Sequence, residues 1–143
     1  MRYSLSGPHS RTKTEDFLNW CQTQYQLKGH GLFAIICPPS ERVIGYCGYY
    51  FQEIDSMSEI EIGYRLHPDF WGRGIATESA ALVRDYGFAN LRSPRFISII
   101  EPENIRSIRV AQKIGMTLWK QHLFKGQVPV SIYSIEAPKT GTL

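Results

Sequence analysis

The amino-acid sequence predicts a single α/β domain built around one sheet, and three observations carry that prediction. Helical and strand periodicities follow one another along the chain in the order α-β-β-β-α-β-α-β-β. No internal repeat, low-complexity tract or linker interrupts them. The 143 residues, 43% hydrophobic and 20% charged, suffice for one sizeable core.

Each element has its own signal. Between Thr12 and about Lys28, the residues Phe17, Trp20, Cys21 and Tyr25 recur at helical spacing, and Thr12 with Glu15 three residues on resembles a capping box. After Gly29 and Gly31, the apolar run Leu32 to Cys37 closes on Pro38-Pro39, and Arg42 to Gln52 is rich in Val, Ile, Tyr and Phe, so two strands joined by a turn are expected. Ser58 to Leu66 alternates polar with apolar residues, as a strand with one wet face does. His67-Pro68-Asp69 ends it. A glycine-rich loop then leads into a helix from Ile75 to about Ala89, with Ala76, Ala80, Val83 and Phe88 as apolar positions. Arg95 to Ile100 is a short β-branched strand, and Pro102-Glu103-Asn104 opens a helix that runs to Ile114 and stops at Gly115. Thr117 to Lys125 and Val128 to Ile135 are expected to pair as a hairpin across Gly126-Gln127. The domain is therefore expected over residues 1–137, with 138–143 as a flexible tail.

Composition narrows the function. A net charge of +3 and a pI near 8.8 suit a small anionic ligand but lack the dense basic patches of nucleic-acid binders. Cys21, Cys37 and Cys47 are odd in number and without C-x-x-C spacing, and His9, His30, His67 and His122 show no ligand spacing, so neither disulfide framework nor metal is assigned. No apolar run approaches the roughly 18 residues of a membrane span, and no basic segment precedes a hydrophobic stretch at the N-terminus. A cytoplasmic protein, associated with neither membrane nor nucleic acid, is expected.

The strongest chemical signal is Phe70-Trp71-Gly72-Arg73-Gly74-Ile75-Ala76-Thr77. A helix start leaves backbone N–H groups unpartnered at the positive end of the helix dipole, so phosphate oxygens bind there. Gly72 and Gly74 carry no Cβ to block a diphosphate, and Ala76 and Thr77 keep the mouth open. The same glycines also suit a plain tight turn. A P-loop is excluded, because no Gly-Lys-Ser/Thr occurs anywhere. A dinucleotide-binding fingerprint fits poorly: Thr77 takes its last position and Leu66 lies several residues before Gly72. Glu101, at the end of a later strand, keeps a nucleotide-dependent oxidoreductase as a remote alternative.

The longer stretch Ile62-Gly63-Tyr64-Arg65-Leu66-His67-Pro68-Asp69-Phe70-Trp71-Gly72-Arg73-Gly74-Ile75-Ala76-Thr77-Glu78 resembles the acetyl-CoA motif of the GNAT acetyltransferases, in particular the RimJ/RimL-like subgroup. A second family motif follows, Asn104-x-x-Ser107-x-x-Val110-x-x-Lys113-x-Gly115-Met116. The resemblance implies the GNAT fold: a mixed, mostly antiparallel sheet with flanking helices, and pantetheine lying as a pseudo-strand where the strand ending near Leu66 splays from the one ending near Ile100. It makes the amides of Leu66, Arg73, Gly74, Ala76 and Thr77 the main CoA contacts, with Gly72 and Ile75 in the same loop. Trp71 stands where the general family pattern has Gln or Arg, as it commonly does in the subgroup. Relatives carry a further strand and helix before the segment that Met1-Arg2-Tyr3 matches, so the resemblance implies an N-terminally short chain whose acceptor site lacks a wall.

Direct acetylation needs a neutral amine, and a primary amine with a pKa of about 10.4 is mostly protonated at neutral pH. Glu61, on the strand leading to the loop, and Glu101, at the mouth of the next strand, are the carboxylates placed to take the proton; either also suits a solvated strand edge. Many GNAT enzymes stabilise the leaving thiolate with a tyrosine at the position of Ala111, which here has no hydroxyl. The resemblance therefore puts that role on Ser107, with Asn104 on pantetheine; Asn104 also suits a helix cap. Arg106, Arg109 and Lys113 share helical spacing and either face the CoA phosphates or form a solvated basic face. The expected activity is transfer of acetyl from acetyl-CoA to a primary amine, either a protein N-terminus or a small amine. A catalytically impaired CoA-binding scaffold or sensor is the alternative. The partners expected are acetyl-CoA and the acceptor, and a homodimer is compatible with the sequence.

Overall fold

The computed structural model describes residues 11–36, 39 and 41–138. Its elements are α1 (Arg11–Lys28), β1 (Leu32–Ile36), β2 (Val43–Ile54), β3 (Met57–Leu66), α2 (Ile75–Asn90), β4 (Arg95–Ile100), α3 (Ile105–Lys113), β5 (Thr117–Phe124) and β6 (Val128–Glu136), with a 3-10 turn at Pro68–Phe70. The order matches the one expected. Cys37, Pro38, Ser40, the first ten residues and residues 139–143 lie outside the described part, so the expected tail is described only at Pro138. Thr12 lies inside α1 and is not its cap, because helical backbone already begins at Arg11.

The six strands form one open sheet in the order β1-β2-β3-β4-β6-β5. Every neighbouring pair is antiparallel except β3 and β4, which run parallel and meet in register only at Glu61 and Ile97. Such a sheet excludes the dinucleotide-binding alternative, whose strands would be mostly parallel. The β2–β3 hairpin closes on the two residues Asp55-Ser56 and the β5–β6 hairpin on the three residues Lys125-Gly126-Gln127, with positive φ at Asp55 and Ser56 in the first and at Lys125 and Gly126 in the second. The second takes in Lys125 beside the expected Gly126-Gln127, with the Gln127 amide donating to the Phe124 carbonyl.

The core seats α2 and α3 on the sheet and so aims both at the end of β3. Tyr49, Phe96, Ile62, Ala80, Ala111 and Ile114 are among its buried members. Tyr49 donates its hydroxyl to the Val83 carbonyl at 2.6 Å, fixing α2 to β2. Gly87 lets the helix come close, since a Cβ there would lie 2.5 Å from Cζ of Phe96. α3 ends in a Schellman arrangement, with the Met116 amide on the Ala111 carbonyl and Gly115 at φ 96°. The polar face of β3 is not wet as expected: Glu59 is buried in a bidentate pair with Arg95, whose Nε donates at 2.9 Å.

Candidate active site

The loop after β3 is built by local bonds. The Trp71 indole donates to the Leu66 carbonyl at 2.8 Å, and the Phe70 and Trp71 amides donate to His67 and Pro68 carbonyls. Gly72 and Gly74 sit at φ 79° and 76°, the left-handed region that favours glycine, and a Cβ at either would meet open space. Gly74 is the N-cap of α2 and supplies no side-chain bond. The first bond back into the helix runs from the Glu78 amide to the Gly74 carbonyl, so the amides of Ile75, Ala76 and Thr77 face out of the helix mouth. Such a helix mouth suits an anion. Arg106 lies over the Trp71 ring at 4.6 Å, tying the loop to α3.

A cleft of about 280 Å³ runs from this mouth along α3, and its lining includes Leu66, Gly72, Gly74, Ile75, Ala76 and Thr77. Asn104, Arg106, Ser107, Arg109 and Lys113 supply its other side. These residues suit a CoA-like ligand: open amides for a diphosphate, cations for further phosphate, and a stretch of β3 beyond Glu61 that no longer pairs with β4 for an extended arm. Arg73, whose backbone amide is the expected contact, has an exposed side chain that rests its guanidinium over the Phe70 ring at 5.1 Å, outside the cleft lining.

A second cavity of about 610 Å³ meets the first at Tyr64, Arg65, Asn104 and Ser107. It holds both carboxylates expected to accept the proton, Glu61 and Glu101. Glu61 sits where β3 and β4 part, taking hydrogen bonds from Gln52 Nε2 at 3.0 Å and from the Ile99 amide at 3.1 Å. Burial pushes its carboxyl up to about 7, against the opposing pull of these two bonds. Glu101 is also pushed up, first by burial and then by neighbouring Glu103. Asn104 caps α3 as its alternative reading had it, accepting the Ser107 amide at 3.3 Å. Ala111 is fully buried in the core and offers nothing to the cleft. His67 is a turn residue, its Nδ1 accepting from the Asp69 amide. Among the described residues no group of three His, Cys, Asp or Glu is placed to hold a metal, and no helix is long and apolar enough to cross a membrane.

Three features escaped the reading of the sequence. Tyr64 donates its hydroxyl to the Ser107 carbonyl at 2.7 Å, bracing the fork from β3 to α3. Gln52 holds Glu61. Phe17, Trp20, Tyr46 and Tyr50 line the second cavity. The signals were present as helical spacing in α1 and period-2 spacing in β2, but both also describe an ordinary packed face.

One parallel pair parting within an otherwise antiparallel sheet, with a helix mouth at its open end, places the protein among acetyl-CoA-dependent acyltransferases. The chain belongs to the GNAT acetyltransferase family, whose domain model matches residues 1–117. It is 34% identical over 130 residues to the uncharacterized protein YkkB of Bacillus subtilis (strain 168), covering 90% of this chain and 74% of that one. It is 33% identical over 129 residues to the uncharacterized N-acetyltransferase YnaD of the same strain, covering 90% and 71%. Among solved structures, it resembles RimL, a ribosomal L7/L12 alpha-N-protein acetyltransferase in complex with coenzyme A, at a TM-score of 0.73. The two share 21% identity over 90% of this chain and 73% of that one, a likeness of fold.

Proposed function

We propose that this chain, acting as one domain over residues 1–137, transfers an acetyl group from acetyl-CoA to a primary amine by direct attack, without a covalent enzyme intermediate. One observation carries the reading: two cavities, one ending in a helix mouth suited to an anion and the other holding Glu61, meet at a single fork in the sheet. Pantetheine would extend along β3 beyond Glu61, with its diphosphate at the α2 mouth and Arg109 and Lys113 on its phosphates. The amine enters from the second cavity. Its nitrogen attacks the thioester carbonyl carbon, a C–N bond forms, the C–S bond breaks, and CoA leaves as the thiolate. Glu61 takes the nitrogen's proton, directly or through water, with Glu101 as the second carboxylate in reach of that water. The Ser107 hydroxyl donates to the departing sulfur, and Asn104 contacts pantetheine. A cytoplasmic setting belongs to the same proposal, in keeping with free Cys21 and Cys47.

Calorimetry with acetyl-CoA and with NAD, followed by thiol release against amines and N-terminal peptides, tests this. CoA binding with release matched by N-acetyl product is expected; NAD binding without CoA binding would overturn it. A CoA-binding scaffold is the second reading, favoured by Ala111, buried where many relatives carry a tyrosine. Tight CoA binding with silence toward every acceptor is its signature.

A further inference from the structure

The acceptor cavity has a wall of stacked rings. Phe17 and Trp20 of α1 lie 6.0 Å apart between centroids; Phe17 meets Tyr46 at 5.3 Å and Trp20 stacks on Tyr50 at 5.5 Å with 23° between planes. All four line the cavity. The wall reaches the reacting end, because Tyr50 is the cross-strand partner of Glu61 and lays its ring against Gly63. A Cβ at Gly63 would stand 2.4 Å from Cε2 of Tyr50, so glycine there is what makes room for the ring two residues along the strand from Glu61. Trp20 remains 36% exposed despite its stacking, so part of this ring is open to contact.

The charges in the same cavity balance. Among the described residues its ionisable lining consists of Glu61, Glu101, Arg65 and Lys125 beside the tyrosines, two carboxylates against two cations. Burial pushes one of those carboxylates, Glu61, up to about 7. A polyamine would bring several positive charges to a site with no surplus of negative ones, whereas a monoamine brings one, and Glu61 meets it. The volume of about 610 Å³ lies within the range of small-molecule pockets.

Resting on the acetyltransferase reading above, we propose that the acceptor is a small primary monoamine carried on a flat apolar or aromatic body, which packs on the wall of Phe17, Trp20, Tyr46 and Tyr50 while its nitrogen points to Glu61. A ring in such a site gains both apolar burial and aromatic contact.

The test uses the full chain with acetyl-CoA, thiol release as readout, and phenethylamine, tryptamine, butylamine, spermidine and N-terminal Ser or Ala peptides as acceptors. Phenethylamine and tryptamine are expected to exceed butylamine and spermidine in kcat/KM by about ten-fold or more, the order of one aromatic contact plus ring burial. Trp20→Leu is expected to raise KM for tryptamine about ten-fold with the Kd for CoA unchanged. Phe17→Leu, checked for folding by circular dichroism, is expected to act in the same direction. Preference for spermidine or peptides, or an unchanged tryptamine KM in folded Trp20→Leu and Phe17→Leu, overturns this inference alone. CoA binding with no turnover on any acceptor overturns the transferase reading along with it.

Discussion

Glu61→Gln removes the carboxylate that sits where β3 and β4 part while keeping its shape, and the consequences separate in pH. Burial holds the Glu61 carboxyl up at about 7, above its ordinary 4.5, and only the ionised form can accept the amine's proton. The groups around it are Gln52, the Ile99 amide and the hydroxyls of Tyr50 and Tyr64, both of which burial pushes well above the usual tyrosine range. None of these titrates near 7. The slope of log kcat/KM against pH should therefore fall by one unit across pH 7, whichever protonation state the amine enters in. Glu61→Gln should lose this break and lower kcat by roughly 10²–10⁴-fold, the range of a general base. Stability gives an independent reading. A carboxyl raised in the folded state binds more protons than the unfolded chain between about 4.5 and 7, so its contribution falls as pH rises through that window. The loss is on the order of 3 kcal/mol at most, and Glu61→Gln should flatten it, seen as a smaller decline in urea midpoint from pH 5 to pH 8. A pH profile without a break near 7, or a variant that keeps the break and its kcat, would refute the assignment of Glu61 as base.

Other perturbations read other parts of the site. Gly74→Trp should abolish CoA binding in calorimetry, because Gly74 sits at φ 76° over the open space where the ligand must approach. Normal CoA affinity in that variant would remove the loop from the donor site. Ser107→Ala should lower kcat by about ten-fold or more with little change in the Kd for CoA, since the hydrogen bonds of Ser107 to Asn104 and Tyr64 use its backbone and survive the change. Gly87→Ala should destabilise the fold by about 1–3 kcal/mol in urea denaturation, because the new Cβ meets the ring of Phe96 and overpacks the seat of α2.

The element order was legible because hydrophobic period is a local property, and every helix and strand of the described chain has its own run of residues. The glycine loop was legible for a related reason. A left-handed backbone at Gly72 and Gly74, a small-residue helix start and the Asn104 cap are all written within a few residues of where they act. Arg73 shows the limit of a motif, which puts a residue in the loop but leaves its side chain to whichever neighbour it meets, here Phe70.

What the sequence by itself determined was which residues share a face and where the chain turns. It could not say what each face meets. Glu59 and Glu61 lie two residues apart on one strand and are locally equivalent, yet one is locked to Arg95 while the other sits in the opening fork. The difference arises because β3 and β4 pair only at Glu61 and Ile97, after which the Glu61 carboxylate and the Ser98 hydroxyl bond backbone groups that a continuous ladder would have joined. Phe17 and Trp20 likewise read as the buried stripe of a helix, and only the packing of α1 against Tyr46 and Tyr50 makes them the wall of a cavity. Period is set by neighbours along the chain, whereas the fork and the cavity depend on strands and helices far apart in sequence competing for the same backbone bonds and apolar surface. That competition is settled only in the folded molecule.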